Sequence, residues 1–333
     1  MKRAFSIRGV WFAKARLWAV AAAGLQLAGC ATFVPFQSAG TVLVGVADKP
    51  EFYDARPVAA AYAKYAVIAA RAYDNPGAEK NFGESEGEAR KAIAGWRIEK
   101  SWTKFDCPRD RVCTFYGGLG VQLWVQRSQG ICRAAVIAFC GTDLTSYDDW
   151  VANLHWFHSG VGIYDQYDQA RDNISVIVRE AERRGCTGKI VAVGHSLGGG
   201  LAQHVAYAHA KIRTVYAFDP SFVVGIGDIA PELLARNRKD RYFDYVYEQF
   251  EILAFPRAIV RLFHPYSACN PRIRTVRFNT LSGTGFSRHR IEDLAKTMVQ
   301  LSRQPAPPSR EATFGAPRAT KPFNLNAKCP API

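Results

Sequence analysis

The stretch Lys189-Ile190-Val191-Ala192-Val193-Gly194-His195-Ser196-Leu197-Gly198-Gly199-Gly200-Leu201-Ala202-Gln203-His204-Val205-Ala206 changes character in its middle. Its first five residues are apolar and rich in β-branched types, which suits a strand buried on both faces. Its last eight spell a helix. Between them stands Gly-x-Ser-x-Gly, with small residues on either side of the serine. Such a turn crowds the backbone so tightly that larger side chains there would clash. A serine lifted on a strained strand-to-helix turn exposes its hydroxyl at a sheet edge, as a nucleophile requires. The plainer alternative is a glycine-rich turn whose serine caps the helix.

On either side of this stretch the chain alternates between the two periodicities. Helical spacing runs over 56–73, over 163–184 with Gly185 as its stop, and over 291–301. Strand patterns occupy 96–105, 120–128, 133–139, 214–218 and 274–278, and the apolar run 258–263 also reads as a strand. Alternating strands and helices predict an α/β fold: a mostly parallel central sheet with helices on both faces. With 333 residues, 48% hydrophobic and 22% charged, the chain suits one large domain with tails. That domain is expected over 50–302. The proline- and alanine-rich stretch 303–333 is expected to be a disordered tail.

The N-terminus has a different logic. Lys2, Arg3, Arg8, Lys14 and Arg16 form an acid-free basic region ahead of an apolar run from Leu17 to Leu27. That run falls short of the ~20 residues a bilayer span needs. Leu27-Ala28-Gly29-Cys30 then resembles a bacterial lipobox. The resemblance implies a signal peptide over 1–29, lipid on the Cys30 thiol and an extended tether over 30–49. Ala31 in place of aspartate favours the outer membrane. Removing 1–29 takes away five positive charges and no negative one, so the net charge falls from +14 to +9. A basic surface beside a membrane attracts anionic head groups. No basic-aromatic module of a nucleic-acid binder is present, so nucleic acid is not expected as a partner. An exported protein can hold disulfides, and Cys107 with Cys113 forms the most plausible local bridge among eight cysteines. Zinc is not expected, because no pair has Cys-x-x-Cys spacing.

A second informative stretch is Ala138-Phe139-Cys140-Gly141-Thr142-Asp143, followed by Asp149-Trp150-Val151-Ala152-Asn153-Leu154. An apolar strand ending in Gly-Thr places backbone N–H groups at the sheet edge where an oxyanion would form. Together with Gly-His-Ser-Leu-Gly-Gly, these motifs resemble the class 3, fungal-type lipase family of the α/β-hydrolase superfamily. The likeness covers roughly residues 110–300. It implies an α/β-hydrolase fold, an oxyanion hole built from Thr142 and the Leu197 N–H, and lipid esters or phospholipids as substrates. Cys140 stands where the family usually has arginine. Only a few residues separate the Asn-Leu motif from Gly162-Ile163-Tyr164, leaving little room for a long lid; Trp156 and Phe157 are candidates for an apolar rim.

A serine hydroxyl needs a base, and the base needs an acid to orient it. In this superfamily the chain order is serine, acid, histidine. His289 lies between the last strand and the last helix, where the base is expected; His264 is the runner-up. His204 and His209 lie on the helix after the serine and point away from it. For the acid, Glu251 follows the strand around residue 245, where the family usually has aspartate. Asp219, ending the strand 214–218, competes with it. The expected reaction is ester hydrolysis through an acyl-enzyme: Ser196 attacks, His289 moves the proton and Glu251 orients His289, with no cofactor or metal. Two other readings stay open: an esterase or thioesterase for small soluble substrates, and a non-catalytic hydrolase fold in the envelope.

Overall fold

The computed structural model describes residues 37, 41–46, 49–73, 82–103, 112–113, 119–141, 163–305 and 323–326. Strands β1 (Thr41–Val46) and β2 (Lys49–Asp54) lead into α1 (Ala55–Arg71), α2 (Glu86–Ala92) and β3 (Trp96–Trp102). Then come β4 (Val112–Cys113), β5 (Val121–Ser128), β6 (Ile131–Phe139), β7 (Ile163–Tyr164) and α3 (Gln166–Arg183). The second half contains β8 (Ile190–His195), α4 (Leu197–Ala208), β9 (Ile212–Phe218), α5 (Pro231–Asn237) and β10 (Tyr242–Glu248). It ends with α6 (Ala254–Phe263), β11 (Arg272–Phe278) and α7 (Ile291–Leu301).

Nine strands form one sheet in the order β2-β1-β11-β10-β9-β8-β6-β5-β3, and β4 pairs with β7 apart from it. Its centre, β6-β8-β9-β10-β11, is parallel. Antiparallel pairs flank that centre on both sides. Alternation along the strands divides the core in two. Val191, Val193, Tyr216 and Phe218 face a cluster with residues of α1 and α7. Ile190, Ala192, Val215 and Ala217 face the residues of α3 and α4. Burial on both faces explains why β8 reads as a continuous apolar run rather than an alternating one. The helices start where the sequence supplies caps. The Asp54 carboxylate accepts from Arg56 N at the head of α1. Asp165 and Asp168 form a reciprocal capping box at the head of α3.

The sheet is therefore the α/β fold expected, an α/β-hydrolase sheet, but three readings need correction. The tether assigned to 30–49 contains β1, which pairs with both β2 and β11. Its Val42 and Val44 belong to the core. The run 258–263 is the end of α6, because Phe255, Ile259, Leu262 and Phe263 recur at helical spacing. The tail from 303 is not free throughout: Phe323 packs edge-on against Tyr53, and the Arg274 guanidinium binds the Asn324 and Leu325 carbonyls. A disulfide, which the sequence left open, joins Cys132 to Cys186. Cys269 is also disulfide-bonded, whereas the Cys107–Cys113 pairing lies outside the described residues. So do Cys30, Thr142, Trp156 and Phe157. No helix among the described residues is long and apolar enough to cross a membrane.

Candidate active site

The C-terminal ends of the parallel strands converge on Ser196. It follows β8 with φ 54° and ψ −123°, a backbone region that costs a non-glycine residue roughly 1–3 kcal/mol. The turn is held from three sides: Ser196 N donates to Phe218 O, while Ser196 O accepts from Gly199 N and Ser221 N. The glycines are required by close approach. A Cβ on Gly194 would sit 2.2 Å from Gly198 O, and one on Gly198 2.3 Å from Phe139 O. Leu197 opens α4, so its N–H has no intrahelical carbonyl to reach and is available to a ligand. The other expected oxyanion donor, Thr142, lies just beyond the described Gly141.

His289 stands between β11 and α7, and its Nε2 lies 3.0 Å from Ser196 Oγ. Its Nδ1 lies 2.7 Å from Glu251 Oε2. An ionised carboxylate can only accept, so Nδ1 carries the proton and Nε2 accepts from the serine hydroxyl. The segments bearing acid and base are themselves tied together. Gly285 N donates to Phe250 O, Glu251 and Gly285 form a parallel bridge, and Arg288 reaches back to Gln249 O at 2.8 Å. All three side chains are buried.

Glu251 is saturated with donors. Besides His289, its Oε2 accepts from Leu253 N at 2.7 Å, and its Oε1 pairs with the Arg257 guanidinium. Arg257 also donates to Pro220 O at 2.9 Å and lies over the Tyr247 ring. Burial pushes the Glu251 carboxyl up, but Arg257 and His289 outweigh it and hold it below the usual range. Asp219, the competing acid, lies close by without reaching His289. Its Oδ1 accepts from Glu248 N, and its Oδ2 is 3.9 Å from His195 Nε2. Burial, then the charge on Glu251, raises its carboxyl well above the ordinary value. Its carboxyl is therefore harder to ionise than that of Glu251.

Three contributors lie outside the site expected from the sequence. The His195 Nε2 lies 2.7 Å from His289 O, so it carries the proton, and its Nδ1 then accepts from Tyr73 OH at 2.9 Å. That arrangement anchors the backbone of the base. His195 stands inside the Gly-His-Ser motif, so it could have been singled out. Tyr73, at the end of α1, and Arg257 carry no local pattern that marks them. His204, by contrast, packs against Tyr167 and bonds Val224 O. His264 is exposed at the C-terminus of α6 and is not the partner of Ser196. His195, Asp219 and His289 also bring ligand-type atoms within 4.8 Å of one another. Both nitrogens of both rings are engaged in the hydrogen bonds above, so these atoms are better suited to holding protons than a metal.

The fold and this arrangement define a lipase- or phospholipase-like hydrolase domain. Residues 64–219 match the model of a phospholipase-like family described as a Tle-like phospholipase domain. Among solved structures, the chain is similar to lipase II from Rhizopus niveus at 16% identity and a TM-score of 0.39, covering 65% of this chain and 78% of that one. It is similar to the Lip2 lipase from Yarrowia lipolytica at 15% and 0.38, covering 59% and 72%. For the native Rhizomucor miehei lipase propeptide complex the values are 13% and 0.41, covering 81% and 87%. No curated protein sequence matches the chain.

Proposed function

We propose that the protein is a serine carboxylic-ester hydrolase that cleaves lipid esters, acyl glycerides or phospholipids, through an acyl-enzyme. The observation that carries this reading is the unbroken hydrogen-bond chain from Ser196 through His289 to Glu251. His289 Nε2 takes the Ser196 proton as the hydroxyl attacks the ester carbonyl, and it returns that proton to the leaving alcohol. Water then repeats the cycle on the acyl group. Glu251, kept ionised by Arg257, stabilises the imidazolium that forms in between. Leu197 N–H, with Thr142 as its partner, receives the oxyanion; one such donor contributes about 3 kcal/mol to the transition state. The lipid preference is supported by the match to a phospholipase domain. Placement at the bacterial envelope, on the outer membrane through a lipidated Cys30, is supported by the lipobox resemblance and the basic charge.

A fluorophosphonate probe tests the chemistry directly. Wild type should become labelled, and Ser196→Ala should not. A folded wild-type protein that stays unlabelled would rule out the nucleophile. A series of p-nitrophenyl esters then separates lipid from small soluble substrates: turnover should rise with acyl length, and a preference for acetate would favour the soluble-ester reading.

A further inference from the structure

Helix α6 is inside out. Phe255, Ile259, Leu262 and Phe263 recur at i, i+4, i+7 and i+8, and so form one apolar stripe. That stripe faces outward: the four side chains are between 39% and 75% exposed. The opposite side carries the arginines, Arg257 buried against Glu251 and Arg261 over the Tyr266 ring at 5.2 Å. Phe250, 64% exposed, extends the patch. Of the nine large apolar side chains exposed among the described residues, five lie within these fourteen positions. A helix on a water-facing surface should show the reverse orientation. Concentrated exposure of this kind marks a contact with another apolar phase.

Two observations identify that phase. The patch flanks the site: α6 begins three residues after Glu251, and Arg257 binds both Glu251 and Pro220 O. Charge is the second. The helix itself, Ala254–Phe263, carries two arginines and no acidic residue, and the chain has a formal net charge of +14. An apolar stripe on an acid-free helix of a basic protein has the composition of an element that lies in an anionic lipid interface. We infer that α6 docks the protein on a phospholipid surface, with Phe255, Ile259, Leu262 and Phe263 entering the head-group region and Arg257 tying the docked helix to Glu251. The inference rests on the lipid-ester reading above and adds to it the element that presents the site to its substrate.

The experiment uses the full chain, with Cys30→Ser in every arm so that no acyl anchor contributes. Flotation with vesicles of mixed phosphatidylcholine and phosphatidylglycerol reads docking, and p-nitrophenyl butyrate reads the chemistry in solution. The triple variant Phe255→Ser/Leu262→Ser/Phe263→Ser should lose about tenfold or more in vesicle affinity and in turnover of vesicle lipid, and should keep its turnover of the soluble ester. Phe263→Trp supplies an independent readout that leaves the stripe apolar: its emission should shift to the blue on adding vesicles. Unchanged vesicle affinity in the triple variant, with no blue shift, overturns the inference. So does a wild-type dimer that the triple variant dissolves, because a second copy would then cover the stripe. If wild type floats and the triple variant does not, while neither cleaves any ester, the docking stands and the hydrolase reading fails.

Discussion

Glu251 and Asp219 follow successive strands, and burial alone pushes both carboxyls up. They part because Arg257 binds Glu251, whereas Asp219 Oδ2 has no hydrogen-bond partner among the described residues. One carboxyl is held below its ordinary value and the other above it. Glu251→Gln should therefore lower kcat by about 10³–10⁴-fold, since an amide no longer fixes the imidazole tautomer. Asp219→Asn leaves the His289–Glu251 hydrogen bond in place and should keep kcat within about tenfold. The same substitution should also change stability. A buried acid whose carboxyl is raised on folding contributes stability below its unfolded pKa and loses it as pH rises. Asp219→Asn should thus be more stable than wild type at neutral pH and lose that advantage toward acid, which denaturant titrations at several pH values would detect. Equal losses of kcat in the two variants would mean that the roles are misassigned. Arg257 gives a third handle. Weakening its hold by Arg257→Lys should let the Glu251 carboxyl rise, moving the acidic limb of kcat/KM to higher pH. A merely structural lysine swap would lower activity without moving that limb.

At the scale of elements, the strand-turn-helix around Ser196 is the most constrained part of the molecule. Gly198→Ala places a methyl 2.3 Å from Phe139 O. That overlap forces apart β6 and α4, the helix that begins with the proposed oxyanion donor Leu197. A cost of about 1–3 kcal/mol is expected, with turnover reduced more than folding; thermal melts and kinetics on the same sample compare the two. This unit was legible because its constraints are local: a buried strand, close-approach glycines and a helix start all fall within one short stretch. The base and acid were legible for a related reason, since chain order and strand ends bring Glu251 and His289 to the same sheet edge. The short run Ala258-Ile259-Val260 was not, because β-branched residues there obscure the helical recurrence of Phe255, Ile259 and Phe263. β1 was missed for want of length: six residues within an expected tether gain their identity from pairing with β11, some 230 positions away. Arg257 and Tyr73 are functional neighbours only through the tertiary fold, which no spacing rule encodes.

Across the whole molecule the two edges of the sheet do different work. The C-terminal edge carries strain, buried charge and an exposed apolar helix. The N-terminal edge is fastened. Cys132 at the start of β6 is bonded to Cys186 just before β8. Near the start of β11, Arg274 binds Asp244, Tyr62 and the carbonyls of Asn324 and Leu325. The Phe323 ring lies under that guanidinium at 4.9 Å. If the fasteners act only on the scaffold, breaking them should leave the chemistry untouched. The disulfide closes a loop of 54 residues, so in the chain-entropy account its loss in Cys132→Ser/Cys186→Ser should cost on the order of 4 kcal/mol. Phe323→Ala should cost about 2 kcal/mol from lost apolar burial. In both variants the melting temperature should fall, while fluorophosphonate labelling of Ser196 well below the melt proceeds at the wild-type rate. A slower labelling rate in the still-folded variant would show that tension at the fastened edge reaches the serine turn through β8, the strand whose start adjoins Cys186 and whose end delivers the nucleophile.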